Sequence, residues 1–193
     1  MSQSFSIPSS SPVLVGGSRS LISGSPAWVA CQSFVQSLLF SSPHAVHVGC
    51  SAGADQAAVL ALGGGSCQAR VFACFAPSGA GSWSASAVSS VQRFAHMGGS
   101  VSWLAGGSLS VPLVARLMSR SLAALQGCAA AVFFSPGVGS LKVARAALKQ
   151  GIPVLVCQQG CPVAPVLAVP PVVVSWFGMS FWLYQPAIQS ALF

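Results

Sequence analysis

Ala45-Val46-His47-Val48-Gly49-Cys50-Ser51-Ala52-Gly53-Ala54-Asp55-Gln56-Ala57-Ala58-Val59-Leu60-Ala61-Leu62 decides how the chain is read. The apolar run 45–48 predicts a strand. The glycines at 49 and 53 predict a tight loop, and the run from Asp55 to Leu62 predicts a helix. A strand, a glycine loop and a helix start in that order make a phosphate-binding geometry. Asp55, in this loop, is the single acidic residue of 193. Chemistry that needs two carboxylates is therefore excluded. The plainer reading of Asp55 is a first-turn acid favoured by the helix dipole.

The same rhythm extends in both directions. Strands are expected at 12–16, 45–48, 70–75, 100–104, 129–134 and 152–157. Helices are expected at 28–40, 55–62, 84–96, 112–126 and 141–150. Alternating strands and helices with short glycine-rich connections predict an α/β protein with a doubly wound, Rossmann-like parallel sheet flanked by helices. One domain, 1–193, is expected, with its core at about 12–157. The extension 158–193 reads as an irregular apolar tail. Within it, Val172-Val173-Val174 is a candidate strand, and 176–184 is a candidate cap for a sheet edge or a subunit interface.

Composition sets the class. The chain is 53% hydrophobic and only 5% charged, with mean hydropathy +0.75, whereas soluble proteins carry about 25% charged residues. Homo-oligomerisation is the expected route to solubility. From Gly151 to Phe193 there is no charged side chain, but Pro153, Pro162, Pro165, Pro170, Pro171 and Pro186 break any long helix. No membrane span is expected. The polar, Ser-rich stretch 1–11 lacks the pattern of a secretory signal, and a cytoplasmic protein is expected.

Seven cysteines without a CxxC pair, Cys31, Cys50, Cys67, Cys74, Cys128, Cys157 and Cys161, read as small buried hydrophobes in a reducing compartment. The alternative is a zinc site of Cys157 and Cys161 with His44 or His47. The two histidines are read as sharing one face of the second strand and as packed rather than catalytic. Neither a cofactor nor a resident metal is expected.

Eight Lys and Arg against one Asp give a net charge of +7 and point to an anionic partner. Three glycine loops follow predicted strands. They are Gly16-Gly17-Ser18-Arg19, the Asp55 loop, and Ser135-Pro136-Gly137-Val138-Gly139-Ser140. In an open α/β sheet all three lie at the carboxyl ends of the strands, where ligands bind. Glycine lets backbone N–H groups approach an oxyanion closely. Arg19 is placed for a phosphate. Arg116 and Arg120, spaced i, i+4, share a helix face and are expected to meet an anion. Lys142, Arg145 and Lys149 are expected on a solvated face.

The segments VLVGGSRSL, VGCSAGADQAAVLAL, VPLVARLMSRSLAALQGCAAAVFF and SPGVGSLKVARAALKQGIPVLV, spanning Val13 to Val156, resemble the SLOG superfamily of Rossmann-like proteins. That group includes YpsA-like proteins, DprA/Smf DNA-processing proteins and the LOG (“lysine decarboxylase-like”) phosphoribohydrolases. The likeness is closest to stand-alone YpsA-related proteins. It implies a nucleotide or nucleotide-derived ligand, and by analogy a setting in mobile elements or defence. Carried over by position, the ligand loops comprise Gly17, Ser18 and Arg19, then Gly49, Gly53 and Asp55, then Pro136, Gly137, Gly139 and Ser140. Arg116 and Arg120 match the basic helix between them. The full set of ligand-binding candidates adds Gly16, Cys50, Ser51 and Ser135. The phosphoribohydrolases carry a glutamate after the last loop. Here Leu141-Lys142-Val143-Ala144-Arg145 follows, with no acid.

Three functions follow as expectations. The first is a binder or sensor of a nucleotide or nucleotide-derived ligand. The second is a DprA-like binder of single-stranded DNA, with Phe75, Trp83 and Trp103 stacking bases. The third is a phosphoribohydrolase-type enzyme on nucleoside monophosphates. It would use Asp55 with Ser18, Ser51 or Ser140; no Ser-His-Asp order or G-x-S-x-G elbow supports a serine hydrolase.

Overall fold

A computed structural model describes residues 3–8, 10–41, 44–63 and 68–186. In chain order its elements are β1 (Gln3–Ser4), β2 (Val13–Gly17), α1 (Pro26–Phe40), β3 (Val46–Val48), α2 (Ala54–Ala61), β4 (Ala69–Phe72) and α3 (Ala85–His96). There follow β5 (Ser100–Ser102), α4 (Leu113–Leu125), β6 (Ala130–Phe134), α5 (Val138–Lys149), β7 (Val154–Cys157), β8 (Val172–Trp176) and β9 (Met179–Tyr184). The nine described strands form one sheet in the order β1-β8-β9-β7-β6-β2-β3-β4-β5. Strands β2 to β7 are mutually parallel. The doubly wound α/β fold is as the sequence predicts.

Alternation along the strands explains the two layers of helix. In β2, Val13 and Val15 face one hydrophobic cluster and Leu14 the other; in β6, Ala130, Val132 and Phe134 face the first, and Ala131 and Phe133 the second. Successive side chains of a strand point to opposite faces, so a strand covered on both sides must be apolar throughout. All five residues of β6 are buried. Helices α1, α2 and α3 contribute Phe34, Ala57 and Phe94 to the first cluster. Helices α4 and α5 contribute Leu125, Val143 and Leu148 to the second.

Local signals start the helices on the first face. Ser25 accepts the Trp28 N–H at 3.3 Å, and Pro26 follows in the first turn of α1. Ser84 accepts the Ala87 N–H at 3.3 Å to cap α3.

Two regions differ from the sequence reading. The tail is more regular than expected. Val172–Trp176 is a strand, as Val172-Val173-Val174 suggested, and 176–184 does cover a sheet edge. It does so as β9, antiparallel to β7 with Val154 opposite Tyr184, and Gly178 in a left-handed conformation turns β8 into it. Phe181 and Leu183 are buried there. Strand β1, unexpected in a polar segment, pairs with β8. Among the described residues no helix is long and apolar enough to cross a membrane.

The winding places the site. From β2 the chain moves outward through β3 and β4 to β5. It then crosses to the other face and returns as β6, beside β2. The direction of winding reverses between β2 and β6. An open α/β sheet has its crevice outside the carboxyl ends of the strands at such a reversal.

Candidate functional site

A crevice of about 550 Å³ opens at this point. The β2 loop (Gly16, Gly17, Ser18, Arg19), the floor residues Gly49, Ser51, Asp55 and Arg120, and the α5 start (Gly137, Gly139, Ser140) all line it. Val114, Leu117, Met118 and Val138 form an apolar wall between α4 and α5. Sequence reasoning placed eleven of its sixteen ligand-binding candidates here. The remaining five, Cys50, Gly53, Arg116, Ser135 and Pro136, lie outside the lining.

The floor is a buried ion pair. Arg120 Nη1 donates to Asp55 Oδ2 at 3.0 Å. Arg120 Nη2 donates to Ser51 Oγ at 2.9 Å, and the Ser51 N–H donates to Asp55 Oδ2 at 3.1 Å. Residue exposures of 7% for Asp55 and 5% for Arg120 put this network in low dielectric, where attraction is strong and an unpaired charge is costly. Burial disfavours the Arg120 charge. Burial is the largest single effect, but the charge and hydrogen bond of Asp55 together with the nearby Cys50 and Cys74 more than offset it, and the pKa of Arg120 is raised. Arg120 is therefore not a cation waiting for an anion, as its spacing with Arg116 suggested. Its anion is the one acid of the chain, 65 residues away. Helical periodicity carried no sign of that long-range partner.

Gly49 makes room for this pair. A Cβ at 49 would stand 1.5 Å from Arg120 Nη1 and 2.2 Å from Asp55 Oδ2. Gly53 serves a different need. Its φ of 74° lies in the left-handed region, and a Cβ would meet the Ser18 carbonyl at 2.2 Å. That carbonyl accepts the Ala54 N–H at 2.9 Å. The start of α2 is thus filled by Ser18 and by Asp55. The second glycine loop builds the floor and does not present an open anion site.

The open helix start is that of α5. It begins at Val138, three residues before the predicted Leu141, so Gly139 and Ser140 belong to its first turn. No Ser, Thr, Asp or Asn cap marks the place, and Gly137 at the cap position accepts the Leu141 N–H with no side-chain hydrogen bond of its own. Gly139 resembles loop in sequence because glycine has poor helix propensity. A Cβ at 139 would meet nothing, so the crevice reaches the first-turn amides. Ser140 Oγ donates to the Gly17 carbonyl and ties this turn to β2. One turn further, Lys142 lines the crevice and is exposed, in keeping with the solvated face expected for it. Arg145 instead donates to the Val166 carbonyl at 3.2 Å.

Asp55 has a second oxygen on the crevice side. Both hydrogen bonds described above go to Oδ2. Oδ1 lies beside Gly16, where a Cβ would stand 3.3 Å from it. Arg120 Nε, also buried, has no hydrogen-bond partner among the described residues. With Arg19, Arg120 and Lys142 set against Asp55, three cations face one carboxylate, and the crevice is net positive.

Arg116 is corrected from ligand residue to clamp. It is buried, and its guanidinium donates to three carbonyls. Nε reaches Val111 at 3.0 Å, Nη2 reaches Gly81 at 3.0 Å, and Nη1 reaches Cys74. Ser135 Oγ turns to the Gly160 carbonyl at 3.2 Å, away from the crevice. Cys50 packs behind the floor against Cys74, with 3.6 Å between the sulfurs, and accepts the Cys74 N–H at 3.3 Å. That contact raises Cys50. The hydrogen bond from Cys50 lowers Cys74 against the opposing effect of burial, and the charges of Arg120 and Arg116 lower it further.

The histidines lie on opposite faces of the sheet, not one. Three residues apart, they cannot share a face of a strand with period two. His44 meets Trp176 in an edge contact, ring centroids 6.3 Å apart, and His47 donates Nδ1–H to the Ala124 carbonyl at 2.8 Å on the α4 side. Among the described residues no cluster of three or more His, Cys, Asp or Glu could hold a metal ion. Cys67 lies outside the described residues. Of the aromatics expected to stack bases, Phe75 is buried against Trp103, ring centroids 6.0 Å apart, and Trp83 is 47% exposed.

Comparison with protein-family models, with curated proteins and with solved structures finds no match to this chain.

Proposed function

We propose that this crevice binds a nucleotide or nucleotide-derived ligand by its phosphate and acts as a sensor or regulatory module. The observation that carries the reading is the uncapped start of α5, which opens into a net-positive crevice at the strand reversal. Free first-turn N–H groups and the positive end of a helix favour an oxyanion. Lys142 adds a full charge beside them, and Arg19 adds another at the mouth. Asp55 Oδ1 is placed to accept from a ligand hydroxyl. The apolar wall of α4 and α5 suits a less polar part of the ligand. The likeness of the three loops to the SLOG superfamily supports the same assignment.

Binding is preferred to hydrolysis for a stated reason. The single carboxylate is engaged by Arg120 and the Ser51 amide, and the sequence holds no second acid to share the acid and base roles.

A thermal-shift screen tests the proposal with nucleoside monophosphates, cyclic nucleotides, ADP-ribose-type compounds and short single-stranded DNA. A ligand at about a hundred times its Kd adds about 2.7 kcal/mol, or on the order of 5–10 °C for a domain of this size. A small-molecule shift that is lost in Arg19→Ala and Lys142→Ala supports the reading. A shift with DNA alone, growing with oligonucleotide length and fading with salt, replaces it with the single-strand reading.

A further inference from the structure

We infer that Arg19, backed by Trp83, forms a ring-recognising wall at the mouth of this crevice, so that its ligand is a nucleoside phosphate and not a sugar phosphate or free phosphate; this rests on the phosphate-binding reading above. The Arg19 guanidinium carbon stands 5.3 Å from the centroid of the Trp83 ring. Arg19 lines the crevice and is exposed. The only carboxylate side chain in the sequence is engaged by Arg120, so the indole takes the place a carboxylate would hold. A guanidinium laid on an indole keeps its outer face open. That face is planar, cationic and weakly hydrated, and it stacks on aromatic rings as an ammonium group cannot. A nucleobase supplies such a ring. Ribose and phosphate do not.

The platform is built, not incidental. Trp83 follows Gly81 and Ser82 in the loop that leads into α3. Arg116 holds that loop by donating Nη2–H to the Gly81 carbonyl at 3.0 Å. The Ser82 N–H donates to the Gly79 carbonyl at 3.1 Å. Directly after Trp83, Ser84 caps α3. Arg116 and Arg120 thus work one turn apart on α4: Arg120 fixes the crevice floor, and Arg116 fixes the loop that presents the indole. Arg19 is the group that contacts the ligand. Trp83 and Arg116 are positioning residues.

Calorimetric titration with adenosine 5′-monophosphate and with ribose 5-phosphate tests this on the whole chain and on Trp83→Ala, Trp83→Phe and Arg19→Lys. The wild type is expected to bind the nucleotide about tenfold more tightly than the sugar phosphate, the scale of one base stacked on a flat partner. Trp83→Ala removes that preference and leaves ribose 5-phosphate affinity unchanged, and Arg19→Lys removes the preference. Trp83→Phe keeps most of it. The inference is overturned if both variants keep the wild-type ratio, and equally if Trp83→Ala weakens both probes alike, which marks a purely structural role. Either result leaves the phosphate site standing. Failure of the wild type to bind either probe overturns the inference and the phosphate-binding reading together.

Discussion

Arg120 and Asp55 meet at 3.0 Å beneath the crevice and join the middle of α4 to the first turn of α2. They come from opposite faces of the sheet and close its switch point from below. Removing one partner of a buried pair leaves the other charge uncompensated, at a cost of about 3–5 kcal/mol. Asp55→Asn and Arg120→Met should each lower Tm by on the order of 10 °C. The double variant should be more stable than the sum of the two losses allows, because it leaves no orphan charge. Denaturant unfolding of the four proteins gives the cycle. Strict additivity would show that the two groups do not interact.

Gly49 should be among the least replaceable residues of the chain. An added Cβ would overlap the Arg120–Asp55 contact, and overpacking at such a site costs about 1–3 kcal/mol. Gly139→Ala should be tolerated, since its Cβ meets nothing and alanine favours the helix by up to about 1 kcal/mol. Equal Tm values for the two variants would contradict the geometry.

His47 predicts a loss of stability in mild acid. Burial lowers its pKa, against the hydrogen bond to the Ala124 carbonyl and aided by the Arg70 charge. The folded protein thus takes up its proton at lower pH than the unfolded chain. Between the two values the unfolded state binds more protons, so stability rises with pH across that window. The contribution is complete above the ordinary histidine pKa of about 6.5 and declines as pH falls below it. His44, lowered chiefly by burial, acts in the same direction. The drop in Tm between pH 7.5 and pH 5 should be smaller in His47→Gln than in the wild type. An unchanged drop would remove His47 as a source.

The cysteines should separate by burial. Cys31, Cys50, Cys74, Cys128 and Cys157 are buried, whereas Cys161 is partly exposed. In a Cys67→Ser background, a thiol reagent should label Cys161 first in the folded protein and the other five only on unfolding. Cys74 is held below the usual thiol range, but access governs reaction as much as the thiolate fraction does. Labelling of Cys74 ahead of Cys161 would show that the floor of the crevice opens readily.

The fold was legible because local signals agree with it. Apolar runs at strand spacing, glycine loops and helix periodicity all pointed to a doubly wound sheet, and the three loops converge on one crevice. What stayed hidden was tertiary. Arg116 and Arg120 look alike in sequence, yet one grips backbone carbonyls and the other the lone acid, a difference set by what packs against α4. The early start of α5 was concealed by Gly139, which weakens the very helix whose first turn it opens. Strand β1 was concealed by its polar residues, which suit an edge exposed to solvent. Lys142, Arg145 and Lys149 are all exposed, as their spacing suggests, but that Lys142 also borders the crevice depends on what stands opposite, which spacing does not record.

The central claim is that the first turn of α5 receives the phosphate. The most direct measurement is the amide spectrum of 15N-labelled protein titrated with adenosine 5′-monophosphate. The account predicts the largest shifts at Val138, Gly139 and Ser140, with smaller ones at Ser18 and Arg19, and their loss in Lys142→Ala. Binding that leaves those amides unmoved and shifts others, such as those around Trp103 and His96, would contradict it.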